Sequence, residues 1–161
     1  MTASYLKLAL LKYWRYSRQY CCCTELTIAT NNICDVCAYD FTDTFIDCEV
    51  KITKSDLLND VKKIKHSKYR DNPTSFGSKL PNKFYYCVPQ ELVTEAVEQC
   101  KVINPSYGVI CIKHRYGVET VRRASKLYTG IDGNNAQKLI LKRLNSEIIT
   151  LYQKQLKPKP Y

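Results

Sequence analysis

Asp35, Glu49 and Lys51 stand in two short apolar runs, ICDVCAYD and FIDCEVKI, joined by the polar link FTDT. Side chains on a β-strand alternate faces with a period of two. Glu49 and Lys51 therefore share a face, and Cys48, Val50 and Ile52 take the other. Asp35 is likewise out of phase with Cys34, Val36 and Ala38. If the runs pair as a hairpin, two acids and a lysine converge. Phosphodiester hydrolysis needs a nucleophilic water and a stabilised leaving oxyanion, and Mg2+ or Mn2+ on carboxylate and carbonyl oxygens supplies both. Asp35 and Glu49 would hold the ion, with the Val50 carbonyl as a further ligand. Lys51 would lie beside the attacking water or the phosphoryl oxygens. Glu25, on the segment before, can add a third carboxylate. The plain alternative is a solvent-facing ladder with a Glu49–Lys51 surface ion pair. The apolar flanks, which mark central strands, weigh against it.

The elements that must position these residues are legible as alternating patterns. Residues 3–20 read as a helix, with Leu6, Leu10, Tyr13 and Trp14 on one side and Lys12, Arg15 and Arg18 on the other. Strand-like runs follow at about 22–29, 33–39 and 45–52, with Asn31-Asn32 and FTDT as turns. Ser55-Asp56 opens a Lys-rich helix to about residue 67, with Leu57, Leu58, Val61 and Ile64 as its buried stripe. Arg70 to Asn82 reads as a loop, then come a strand at 83–88, a helix at about 90–100 and a strand at 107–112. Residues 118–127 fit a short strand or a helix. A final helix at about 135–155 is expected to bury Leu141, Leu144, Ile148 and Leu151, and the tail at 156–161 to fray. This order predicts one domain over residues 1–161, an α/β layered fold with a mixed central sheet.

The composition is that of an ordinary soluble globular chain, 45% hydrophobic and 25% charged. Its charge of +10 is uneven: residues 1–112 carry 14 basic against 12 acidic side chains, and residues 113–161 carry 11 against 3. Such a basic third beside an acidic site points to a polyanionic partner. Nine cysteines, an odd number with no secretory leader recognised, read as free, buried thiols in a reducing cytoplasm. Cys34 and Cys37, three apart on a strand, should face opposite sides and so not share a zinc ion. No run approaches the roughly 18 apolar residues of a membrane span. No glycine-rich dinucleotide fingerprint, phosphate-binding loop or serine-hydrolase elbow is present, so no nucleotide cofactor is expected.

An Asp on one strand followed by Glu-X-Lys on the next resembles the signature of the PD-(D/E)xK nuclease superfamily. The longer run CEVKITKSDLLNDVKKIKHSKY, then NKFYYCVPQEL and YGVICI, is similar to its MmcB-like DNA repair branch over about residues 22–112. RRASKLY and LKRLNSEII resemble phage and bacterial relatives of that branch. The resemblance implies a restriction-endonuclease-like three-layer core and a Mg2+- or Mn2+-dependent deoxyribonuclease of repair, recombination or DNA processing. It makes Asp35 the first metal acid, Glu49 the second, Lys51 the catalytic lysine and Glu25 the upstream acid. Asp56 and Asp60 fall in the motif helix, with a capping role for Ser55 or Asp56 at its start. Cys34 takes the place of the signature's proline.

Lys62, Lys63, Lys65, His66 and Lys68 form a dense basic run after the motif, placed to contact a DNA backbone or to form a solvated helix face. Arg122, Arg123, Lys142 and Arg143 are second-tier contacts. The expected setting is the cytoplasm of a bacterial or phage-infected cell, with DNA as partner, no membrane, and a homodimer left open. The rivals are a non-catalytic DNA-binding module on the same fold and an assembly factor docking on an acidic protein.

Overall fold

Six strands form one mixed sheet in chain order: β1 (Cys21–Ile28), β2 (Asn32–Tyr39), β3 (Phe45–Val50), β4 (Lys83–Pro89), β5 (Gly108–Ile112) and β6 (Val118–Arg122). The structure, a computed structural model, describes residues 1–28, 32–71 and 80–156. The first three strands are an antiparallel meander, β3–β4 and β4–β5 are parallel, and β6 closes the sheet antiparallel to β5. Parallel neighbours need a crossover. Two helices, α2 (Lys54–Asn59) and α3 (Ile64–Asp71), provide the first, and α4 (Val93–Ile103) the second.

Helices cover both faces. On one face α1 (Ala3–Lys12) buries Leu6, Ala9 and Leu10 against Val36, Cys48, Val50, Cys87 and Ile110. On the other, α2, α3, α4 and α5 (Gly133–Leu156) pack Leu57, Tyr69, Ala96 and Ile140 against Phe45, Phe84, Tyr86 and Val109. The result is the expected three-layer α/β arrangement, and of residues 118–127 only Val118–Arg122 forms a strand, β6. All nine cysteines are free thiols, eight of them buried.

Several local expectations give way. The first helix ends in a single π-helical turn, Tyr13–Ser17, rather than running on to residue 20. β3 stops at Val50, which leaves Ile52 exposed. On α5 the buried residues are Ala136 and Ile140, and Leu144 packs half-buried against the same core, while Leu141, Ile148 and Leu151 are exposed; the helix docks as far as Glu147, which accepts from the Thr24 hydroxyl at 2.6 Å. Residues 157–161 of the expected tail, the core of the 70–82 loop and Asn31 lie outside the described residues.

The β1–β2 ladder departs from strict alternation at Glu25 and Asp35, the one facing pair left out of its register. Glu25 has φ of 50°, in the left-handed region that an ordinary side chain seldom occupies. The irregularity switches faces, so Cys23 and Leu26, three apart, enter the same core, as do Cys34 and Cys37. Cys34 and Cys37 thus share a face after all. Burial pushes the Cys34 thiol up to about 12, which leaves it an inert thiol at neutral pH.

Candidate active site at the C-terminal end of β3

Every residue of β3 is buried, so its polar side chains must find partners inside the protein. Phe45, Asp47 and Glu49 alternate onto the α2–α5 face. The Lys51 N–H extends the pattern one step by donating to the Cys87 carbonyl at 3.1 Å. Glu49 and Lys51 do share a face, with Lys51 Nζ 3.1 Å from the Glu49 carboxylate.

The motif helix reaches this face in two pieces. The side chain of Thr53, rather than Ser55 or Asp56, caps α2 by accepting the Asp56 N–H at 3.2 Å. A 3-10 turn, Asp60–Lys62, follows, and Lys63 leaves helical geometry with ψ of 131° before α3 begins. The break re-phases the chain: Leu58, Val61 and Ile64 of the expected buried stripe are exposed, and Asp60, Lys65 and His66 turn inward.

Three lysines then meet three buried acids. Lys51 bridges Glu49 and, at 2.8 Å, Asp60, and also reaches Asp56 at 3.1 Å. Lys63 pairs with Glu49 and, at 2.9 Å, with Asp60. Lys65 pairs with Glu49 and, at 3.3 Å, with Asp47. His66 joins Asp60 (2.8 Å) to the Tyr107 hydroxyl (3.0 Å), while the hydroxyls of Tyr86 and Tyr69 donate to Asp60 and Asp47. Only Lys63 and Asp56, with side chains 46% and 56% exposed, open this cluster to solvent.

Electrostatics sort the acids. Burial pushes Glu49 up, but Lys65, Lys63 and Lys51 outweigh it and hold the carboxyl below its usual range. Asp60 is desolvated too, yet His66, Lys51 and Lys63 hold it far below the carboxylate range. Asp47 goes the other way, because burial beats the pull of Lys65. Burial alone would lower Lys51, but Asp60 and Glu49 raise it. Lys51 is thus a fixed cation at neutral pH, not a general base.

Asp35 is not part of this constellation. One oxygen accepts the Val50 N–H at 2.8 Å, just past the last β2–β3 pair, and the carboxylate pairs with Lys7 of α1 at 2.8 Å. Lys7 also pairs with Glu25. The expected Asp35–Glu49–Lys51 triad is therefore split: Glu49 and Lys51 join Asp60, while Asp35 and Glu25 share a lysine from the opposite helix layer. Among the described residues no three His, Cys, Asp or Glu side chains are grouped to hold a metal ion. The Val50 backbone enters through its N–H.

The DNA-contact candidates also divide. Lys62 is exposed, with its ammonium on the Asn59 side chain, and Lys63 sits at the cluster's mouth. Lys65 and His66 are buried, which corrects their placement on a DNA-facing surface. Lys68 is half-buried. The Arg122 guanidinium is tied to the carbonyls of Tyr107 (3.0 Å) and Pro105 (2.6 Å), a strap between β6 and the turn before β5. Arg123 and Lys142 are exposed, and Arg143 binds the Thr24 carbonyl. Asp47 was the legible omission, since it continues the Glu49–Lys51 alternation one step back. Tyr86 and Tyr107 carried no signal beyond belonging to apolar strands.

No protein-family model matches the chain, and no curated protein matches it at a significant level. Among solved structures the chain is similar to the "SPO1766 protein of unknown function from Silicibacter pomeroyi". The TM-score is 0.65 at 14% identity, over 97% of this chain and 93% of that one, a likeness of fold alone.

Proposed function

We propose that this chain is a metal-dependent nuclease domain of the PD-(D/E)xK type whose site is the Glu49–Lys51–Asp60 cluster. The observation that carries the reading is the Lys63 ammonium, a half-exposed cation lodged between the carboxylates of Glu49 and Asp60. A hard divalent ion favours such oxygen donors, and both acids are held ionised. The donor set fits an ion that takes the place of this half-exposed charge. Glu49 and Asp60 would hold it, with water completing the shell. When bound, the ion would supply a water of lowered pKa and charge neutralisation at the phosphoryl group.

The chain's own residues have defined parts. Lys51, kept protonated by Asp60 and Glu49, neutralises charge that develops on phosphoryl oxygens. His66 and Tyr86 fix Asp60 from behind. Lys65 and its Asp47 partner anchor the base of Glu49.

A DNA-binding module without cleavage is the second reading, favoured by one observation: three lysines already neutralise the three buried acids. Mn2+ binding, followed by electron paramagnetic resonance, separates the two. The nuclease reading expects a bound signal that Asp60→Asn loses and Lys63→Met strengthens. Salt-dependent DNA binding with no bound Mn2+ in either wild type or Lys63→Met would leave the module.

A further inference from the structure

At the opposite, N-terminal end of the β3–β4 pair, on the α1 face, lies a cavity of about 350 Å3 that the chemistry above does not use. Its walls include Arg18, Lys83, Arg123, Trp14, Thr44 and Thr120, brought together from the end of the π-helical turn and from β3, β4 and β6. Trp14 is 5% exposed, and its indole Nε1 is buried without a hydrogen-bond partner among the described residues. The ring is fixed by stacking on Tyr20 (5.4 Å between centroids, 12° between planes) and by an edge contact with Tyr13.

The cavity's charge identifies its ligand. Three cationic side chains line it and no carboxylate does. Lys83 and Arg123 have no ion-pair partner among the described residues. Arg18 spends only its Nε on the Tyr13 hydroxyl, at 2.8 Å. The nearby acids are engaged elsewhere: Asp40 accepts the N–H groups of Thr42, Asp43 and Thr44, and Asp43 pairs with Lys126.

We propose that this pocket binds a phosphate monoester group. Three cations with no acid among them match a group carrying roughly −1.5 to −2 charge and three acceptor oxygens, and exceed what a monoanionic carboxylate would take. The phosphate can come from a free mononucleotide or from the phosphorylated end of a nucleic-acid strand. The assignment is independent of the nuclease reading, because the two sites lie at opposite ends of β3 and on opposite faces of the sheet.

Trp14 is the chain's one tryptophan, so its fluorescence reports the pocket directly. The test titrates inorganic phosphate, thymidine 5′-monophosphate, and one oligonucleotide with either a 5′-phosphate or a 5′-hydroxyl, at constant ionic strength set with chloride. Calorimetry runs in parallel. The expected result is a saturable change with phosphate that weakens about tenfold in each of Lys83→Ala and Arg123→Ala, with unchanged circular dichroism. Preference for the 5′-phosphorylated strand over the mononucleotide assigns the source to strand ends, and the reverse assigns it to free nucleotide. Absence of both a fluorescence change and heat would overturn the proposal, as would equal affinity in wild type and the two variants. A response that chloride reproduces would overturn it too, as an effect of ionic strength only.

Discussion

The two ends of β3 use charge in opposite ways. At the C-terminal end Asp47, Glu49 and Asp60 are buried, and Lys51, Lys63 and Lys65 neutralise them within the protein. At the N-terminal end Arg18, Lys83 and Arg123 border an open cavity with no acid among its walls. Burial accounts for the contrast. A charge withdrawn from water needs a partner in the fold, whereas a solvated one can stay unpaired and available. The first end can bind a cation only by moving one of its own, and the second can bind an anion as it stands.

The sharpest way to break this comparison is to remove one charge from each end. Lys65→Met strands Asp47 in the interior and takes one of three lysines from Glu49, and is expected to cost about 3–5 kcal/mol in urea unfolding. Arg123→Ala, on the surface, should change stability by under about 0.5 kcal/mol. Similar costs for the two would mean the internal network is not what holds the first end together.

Titration sharpens it further. Glu49 and Asp60 are depressed in the folded state, so it binds fewer protons there than the unfolded chain does. Their contribution is whole above the unfolded carboxyl values of ~4 and drains away as pH falls through the depressed ones. Asp47, which burial raises, opposes this in part. Lys51 and Lys65 are raised by their acids, so their contribution is whole below the unfolded lysine value of ~10.4 and is lost at higher pH. Melting temperature should therefore form a plateau between those limits and fall on both sides, with a shallower acid limb in Asp60→Asn. Differential scanning calorimetry across pH reads this directly.

A smaller effect belongs to Lys63. Because its ammonium is half exposed, Lys63→Met should change stability by under about 1 kcal/mol. The same change should tighten Mn2+ binding, read by calorimetry, since it removes the resident cation from between Glu49 and Asp60. Weaker Mn2+ binding in that variant would count against the exchange.

The layered fold was legible because its signals are local. Alternation in FIDCEVKI and the apolar runs at 83–88 and 107–112 locate the parallel core, and the helical patterns between them mark the crossovers. Glu49 and Lys51 were legible for the same reason, one strand and one face. Asp35 was not placed correctly, because the switch at Glu25 depends on a backbone conformation that strand periodicity does not encode. Lys65 and His66 read as surface residues because Leu58, Val61 and Ile64 offered a better apolar stripe than the one the fold uses. Past the break at Lys63 the polar side turns inward instead, onto the acids of β3 and the hydroxyls of Tyr86 and Tyr107. The N-terminal pocket draws on four separate segments, and no spacing in the chain links Trp14 to Arg123.

The most direct test of the central claim is cleavage of labelled duplex, single-stranded and branched DNA in Mg2+ or Mn2+, wild type beside Lys51→Met. The account predicts metal-dependent cutting of at least one substrate, reduced by about 10²-fold or more when the buried ammonium is lost. Equal cutting by the two proteins, or none by a folded wild type that binds DNA, would contradict it.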